Sequence, residues 1–265
     1  MRQRGLVLES GMRYLYLLLI STLIACAPPE APEDLQLLAA YIFTHADDED
    51  DVELKAGLDN LYAWMGQEHE EDIEEGYQIN LLGDEAVSDL EGVDFDLTED
   101  LIGAAVAHES AHNADDFAQV MIAEDWSTVI VDQYEYYDKT YTEGEDCMVE
   151  RDCMVAKANS ESELVQLTIS VISKNRIQYR WVETDQGWAF VHRSWLTEPP
   201  IVSSDIVEPK SQFFLSVVLP RDPVVRIQAT WIDTKILGVS VPKNQVVKTM
   251  RDQGDSVEVF MNENY

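Results

Sequence analysis

Arg226-Ile227-Gln228-Ala229-Thr230-Trp231 alternates polar and apolar side chains. A strand sends successive side chains to opposite faces, so this stretch reads as β with Ile227, Ala229 and Trp231 on one face. It lies within a longer β-branched run, residues 224–232. Pro220-Arg221-Asp222-Pro223 before it is a turn signal. A second strand precedes that turn at residues 212–219, with Phe213, Leu215 and Val217 in phase. Trp188-Ala189-Phe190-Val191-His192-Arg193-Ser194-Trp195 makes a third. Further upstream, Val165, Leu167, Ile169 and Val171 alternate, Lys174-Asn175 can turn the chain, and Ile177, Tyr179 and Trp181 resume the alternation. Runs of this kind joined by turn residues predict an antiparallel sheet.

Elements on either side complete a pattern. A short strand at residues 102–107 precedes a helix at residues 114–124, and Pro242 opens a final amphipathic segment. In that segment Val246, Val247, Met250, Val257, Phe260 and Met261 fall near helix spacing, and Gly254 weakens the middle. Strand, helix, about six antiparallel strands and a last helix, with patches such as Asp125-Trp126, Tyr179-Arg180-Trp181 and the hexapeptide above, resemble the helix-grip superfamily of START and Bet v 1-like (SRPBCC) proteins. The resemblance covers residues 101–265. It implies an α+β fold in which a curved antiparallel sheet wraps a long C-terminal helix, with an apolar cavity between them. Tyr179, Trp181, Phe213, Leu215, Ala229 and Trp231 on the sheet, with Val247 and Met250 on the helix, are then the expected lining. Small Ala229 beside large Trp231 would leave room, and the Tyr179 hydroxyl would orient a guest. Core packing is the competing role for the tryptophans Trp181, Trp195 and Trp231. Fold alone does not fix an activity, because members of the superfamily bind hydrophobic molecules and some catalyse.

One motif names a chemistry. His108-Glu109-Ser110-Ala111-His112 matches H-E-x-x-H, which on a helix would place two histidines on one face for zinc and Glu109 as general base. A zinc peptidase is therefore a rival expectation. Against it, Asn113 is a good N-cap and Asp115-Asp116 suit a first turn, so the helix is expected to begin at Ala114, after the motif. No third-ligand extension follows either. The chain carries no G-x-S-x-G elbow, no glycine-rich phosphate loop and no C-x-x-C, so no cofactor is called for. His192-Arg193 is expected on the sheet surface. A binding module is the leading expectation, and a packed envelope protein without ligand is the third.

The N-terminal residues point to export. Arg2, Arg4 and Arg13 precede an apolar run over residues 14–25, short for a membrane span of about 20 residues. It ends in Leu23-Ile24-Ala25-Cys26, which resembles the lipobox of bacterial lipoprotein precursors. That resemblance implies a signal peptide of residues 1–25, cleavage before Cys26 and lipid on the Cys26 sulfur. With Ala27 next, it implies an outer-membrane place in the cell envelope. Residues 26–34, rich in proline and acid, read as an extended tether.

Composition narrows the partners. The chain has 51 Asp and Glu against 18 Lys and Arg, a net charge of −33. Nucleic acid and anionic lipid surfaces are repelled, so the expected partners are the membrane, through the lipid anchor, and a hydrophobic small molecule. Residues 35–100 read as an acidic helical region outside the resemblance, with apolar faces for packing. Leu37, Leu38, Tyr41 and Ile42 form one stripe, and Val52, Leu54, Leu58, Leu61, Tyr62 and Met65 another. Asp47-Asp48-Glu49-Asp50-Asp51 between them reads as a solvated turn. Cys147 and Cys153 remain once Cys26 is lipidated. In an oxidising compartment they are natural disulfide partners, with free thiols or half of a metal site as alternatives.

Overall fold

The structure is a computed structural model. It describes residues 30–66, 75–88, 90–93, 100–123, 125–130, 133–166 and 168–265. The lipobox, Leu167 and Glu124 lie outside the described residues. The chain divides into Met1–Glu30 and Ala31–Tyr265, and all that follows concerns the second unit.

Helices α1 (Leu35–His45) and α2 (Val52–Met65) come first. Asp34 caps α1 by accepting a hydrogen bond from the Gln36 amide at 2.8 Å. After β1 (Tyr77–Gln78) and α3 (Asp84–Ser88) comes β2 (Ile102–Ser110), then α4 (Ala114–Ile122). Asn113 and Asp116 form a reciprocal capping box that starts α4 where the acidic first turn suggested. The sheet continues with β3 (Tyr134–Glu143), a short α5 (Glu145–Met148), β4 (Val155–Gln166), β5 (Ile169–Thr184), β6 (Gly187–Leu196) and β7 (Ile201–Val202). It closes with β8 (Val207–Leu219), β9 (Val224–Ile236) and β10 (Val239–Ser240), followed by α6 (Lys243–Asn264).

The strand order is β1-β2-β9-β8-β6-β5-β4-β3, antiparallel throughout, with β10 on β9 and β7 on β5. This is an α+β helix-grip fold: the first long strand pairs with the last, and the terminal helix packs on the sheet. Cys147 and Cys153 are bridged in the loop between β3 and β4. Among the described residues no helix is long and apolar enough to cross a membrane.

One expectation needs correction. Lys174-Asn175 is no turn, since both residues sit inside β5; the chain reverses between Gln166 and Ile169, where Thr168 takes a φ of 72°. Two isolated polar residues do not break a strand when both neighbours supply ladder partners.

The N-terminal helices lie against the sheet. They share one core with it, in which Phe43, Leu54 and Leu58 join Phe213, Leu215, Ala229 and Trp231. A sheet with two apolar faces needs cover on both, and α1 and α2 provide it on the side away from α6.

The acidic run after α1 is a turn with Asp47, Glu49 and Asp50 exposed, as expected, and the chain at its base is docked. Arg193 Nη1 donates to the Phe43 carbonyl at 2.7 Å, and Arg180 Nη1 to those of Ala46 and Asp48 at 3.1 and 2.6 Å. Arg180 also pairs with Asp51, and Lys157 with Asp47 at 2.9 Å. The open carbonyls at the end of α1 thus find the buried cations Arg180 and Arg193, and Lys157 at the surface adds a further pair.

Candidate functional site

Strand pairing assigns the two faces of the sheet. Tyr179 opposes His192, His192 opposes Ser216, and Ser216 opposes Gln228. One row further along, Phe190, Val218 and Arg226 are opposed in turn. These residues face α4 and α6. Their neighbours along each strand face α1 and α2.

Between the first face and the helices lies a cavity of about 270 Å³. Its floor is the sheet: Ser160 and Ser162 of β4, Ser173 and Asn175 of β5, His192 and Ser194 of β6, Gln212 and Phe214 of β8, and Arg226 and Gln228 of β9. Met121 of α4, Trp126 and Ile130 of the turn after it, Tyr134 and Tyr137 of β3, and Gln253 and Val257 of α6 enclose the rest. The wall is largely apolar and the floor largely polar, so the space suits an amphipathic guest better than a plain hydrocarbon. The serines share one face because Ser160 and Ser162 alternate along β4, Ser162 opposes Ser173 of β5, and Ser194 of β6 opposes Ile177 in the same phase.

The ionisable groups here are shifted by burial. Desolvation holds His192 down at about 3, with Lys139 and Arg226 adding to the effect, so the imidazole is neutral at pH 7. Burial lowers Arg226 to about 10, against the opposing fields of Glu258 and Asp255, and leaves it charged. Burial also raises the Tyr134, Tyr137 and Tyr179 phenols, which stay protonated.

The cavity takes one of the residues expected to line it, Tyr179. Its hydroxyl is already committed, donating to the Met121 carbonyl at 2.7 Å, and Lys139 Nζ donates to the same carbonyl at 3.0 Å. These bonds close the C-terminal end of α4. Trp181 is on the same face but fully packed, its indole N–H donating to the Met148 carbonyl at 2.9 Å. Phe213, Leu215, Ala229 and Trp231 point the other way, into the core under α1 and α2. Val247 and Met250 pack with Ala104 and Val106 of β2. Their partners in alternation, Gln212, Phe214, Arg226 and Gln228, form the floor instead. The reason is that a strand's apolar parity marks its drier face, and here the drier face is the one that carries no cavity. A row of polar residues on central strands with cover on both sides was the available signal.

His192 and Arg193 are both buried, on opposite faces, and neither is at the sheet surface. His192 stacks on Tyr179 with ring centroids 5.0 Å apart.

The H-E-x-x-H residues do not share a helix. His108 and Glu109 end β2 and so point to opposite faces, while His112 lies in the turn before α4. His108 sits beneath Gly254, where an added Cβ would come within 2.4 Å of its ring. The glycine that weakens α6 is what lets the helix cross β2 closely. His112 Nε2 is 3.2 Å from Asn262 Oδ1, and its Nδ1 is 3.9 Å from Asp116. Among the described residues no three His, Cys, Asp or Glu side chains are grouped to hold a metal ion.

Neither a family model nor a curated protein matches the chain. Solved structures align with part of it. A STAR-related lipid transfer protein from Xanthomonas axonopodis aligns over 63% of this chain and 97% of its own, at 11% identity and a TM-score of 0.39. A START superfamily protein from Mycobacterium smegmatis covers 62% and 99%, at 8% identity and a TM-score of 0.39. Human STARD10 covers 71% and 82%, at 8% identity and a TM-score of 0.38. At these values no residue's role and no ligand carries over to this chain.

Proposed function

We propose that this chain is an exported lipoprotein, held to a membrane by lipid on Cys26, whose sheet and terminal helix bind a small amphipathic molecule. The observation that carries the binding reading is the cavity of about 270 Å³ between the sheet, α4 and α6. Its size lies just below the range of about 300–1,000 Å³ usual for small-molecule pockets. The tether rests on the Leu23-Ile24-Ala25-Cys26 motif and the proline-rich stretch after it. A lipid-anchored binding protein of this kind would hold its guest at the envelope and carry out no chemistry on it.

The binding half is tested by native mass spectrometry and solvent extraction of protein purified from its own host. A copurifying small molecule is expected, and it should be lost from Ser194→Trp, whose indole would fill the floor, while circular dichroism stays unchanged. Protein that carries nothing and takes up no amphiphile would leave a packed envelope protein. The tether is tested separately by intact mass and fractionation. Cys26→Ser should abolish acylation and release the protein from membranes, and a wild-type N-terminus found uncut and unacylated would end that reading.

A further inference from the structure

Arg226 is the only charged residue lining the cavity among the described residues. It is 1% exposed. One nitrogen, Nη2, donates to Gln228 Oε1 at 3.2 Å. Nε and Nη1, which carry three of the five guanidinium N–H groups, have no hydrogen-bond partner among the described residues. The guanidinium carbon stands 5.3 Å from the Phe117 ring centroid, a contact that leaves these donors open. Glu258 and Asp255 of α6 act on it through space, yet no ion pair joins either to it among the described residues; Glu258 instead accepts from the Ser110 hydroxyl at 3.0 Å.

The same chain shows how it treats buried arginines that serve the fold. Arg180 and Arg193 each donate to backbone carbonyls at the end of α1 and each pair with a carboxylate, which leaves Nε of Arg180 as the one open nitrogen of the two among the described residues. A buried charge with idle donors is destabilising, and native interiors rarely keep one without a use. His192 Nδ1, also on the cavity floor, lacks a partner among the described residues as well.

We propose that the cavity binds a small amphipathic carboxylic acid, its carboxylate on Arg226 and its apolar body against Trp126, Tyr134 and Val257. This rests on the binding reading above and names the class of guest. A single planar guanidinium matches a singly charged planar carboxylate and supplies parallel N–H donors to it. A phosphate dianion would meet one cation with Asp255 and Glu258 close behind it, and a two-chain lipid exceeds the space. The neutral His192 ring adds a donor or an acceptor according to its tautomer. The net charge of −33 does not oppose this, since surface fields are screened beyond about 8 Å at physiological salt.

The test uses matched probes on the mature protein: decanoate against decanol, and 2-naphthylacetate against 2-naphthylethanol, by isothermal calorimetry. In a pair that binds, the acid should be at least tenfold tighter than its alcohol. Arg226→Gln should erase that preference while keeping the alcohol's affinity within about twofold, and Arg226→Lys should retain part of it. Equal affinity of acid and alcohol in the wild type, or an unchanged preference in Arg226→Gln, would overturn the acid assignment and leave the cavity reading standing. If none of the four probes binds, the cavity reading fails and this one with it. Should Arg226→Gln fail to fold, the wild-type preference and its weakening in Arg226→Lys still decide.

Discussion

The two faces of one sheet differ in how they treat polar groups. Under α1 and α2, the sheet offers Phe213, Leu215, Val217, Ile227, Ala229 and Trp231, and these interlock with Phe43, Leu54 and Leu58. The cations on that side, Arg180 and Arg193, are tied to carbonyls and carboxylates. Under α4 and α6, the same strands offer Ser194, Gln212, Gln228 and Arg226 around open space. Both faces are packed, the second through Phe117, Trp181, Phe190 and Val218, but the second also keeps polar groups around open space. Alternation along a strand therefore separates two faces without saying which one has the vacancy.

Substitutions on the two faces should separate stability from binding. The largest effect is expected from Trp231→Ala. It empties a fully buried site on the packed face and should lower unfolding stability by about 3–5 kcal/mol, while guest affinity per folded molecule is unchanged. Denaturant unfolding and calorimetry read the two quantities. A collapse of binding at full stability would mean that the faces are not independent.

Arg193→Met should come next, at about 2–3 kcal/mol, because it strips charged hydrogen bonds from the Phe43 carbonyl and from Gln178 Oε1. Arg226→Gln, on the other face, should change stability by less than about 1 kcal/mol, since most of its donors have nothing to lose. Comparable losses from the two would show that Arg226 is a structural residue.

Acid should act mainly through the cavity side. Burial holds both His192 and His108 at about 3 in the folded chain, against about 6.5 unfolded. The unfolded chain therefore takes the proton first. The stability from each histidine is complete above pH 6.5 and drains as pH falls toward 3. Between pH 6.5 and 5 the loss is about 2 kcal/mol per histidine. Urea titrations at the two pH values should show a slope that shrinks in His192→Gln. An identical slope in wild type and variant would mean that His192 is solvated when folded.

The legible parts were those with strong local signals. Asn113 with Asp115 and Asp116 announced the start of α4, and so placed the H-E-x-x-H histidines outside a shared helix. The strands rich in β-branched and aromatic residues, from Trp188 to Trp231, were plain from their alternation. Strand β4 was harder, because Lys157, Asn159, Ser160, Glu161 and Glu163 give it a loop's composition. Its pairing with β3 and β5 supplies what its side chains do not.

Sequence by itself determined the acidic character, the strands from Trp188 to Trp231, the start of α4 and the terminal amphipathic helix, since each rests on period, composition or spacing along the chain, whereas the α+β class was what a resemblance in element order implied. Only the tertiary structure decided that α1 and α2 cover the sheet, and thereby which parity became core and which became cavity. Ile227 and Arg226 are adjacent in sequence and lie on opposite sides of the sheet. Nothing local to either says which side the helices leave open, because that depends on how distant segments pack.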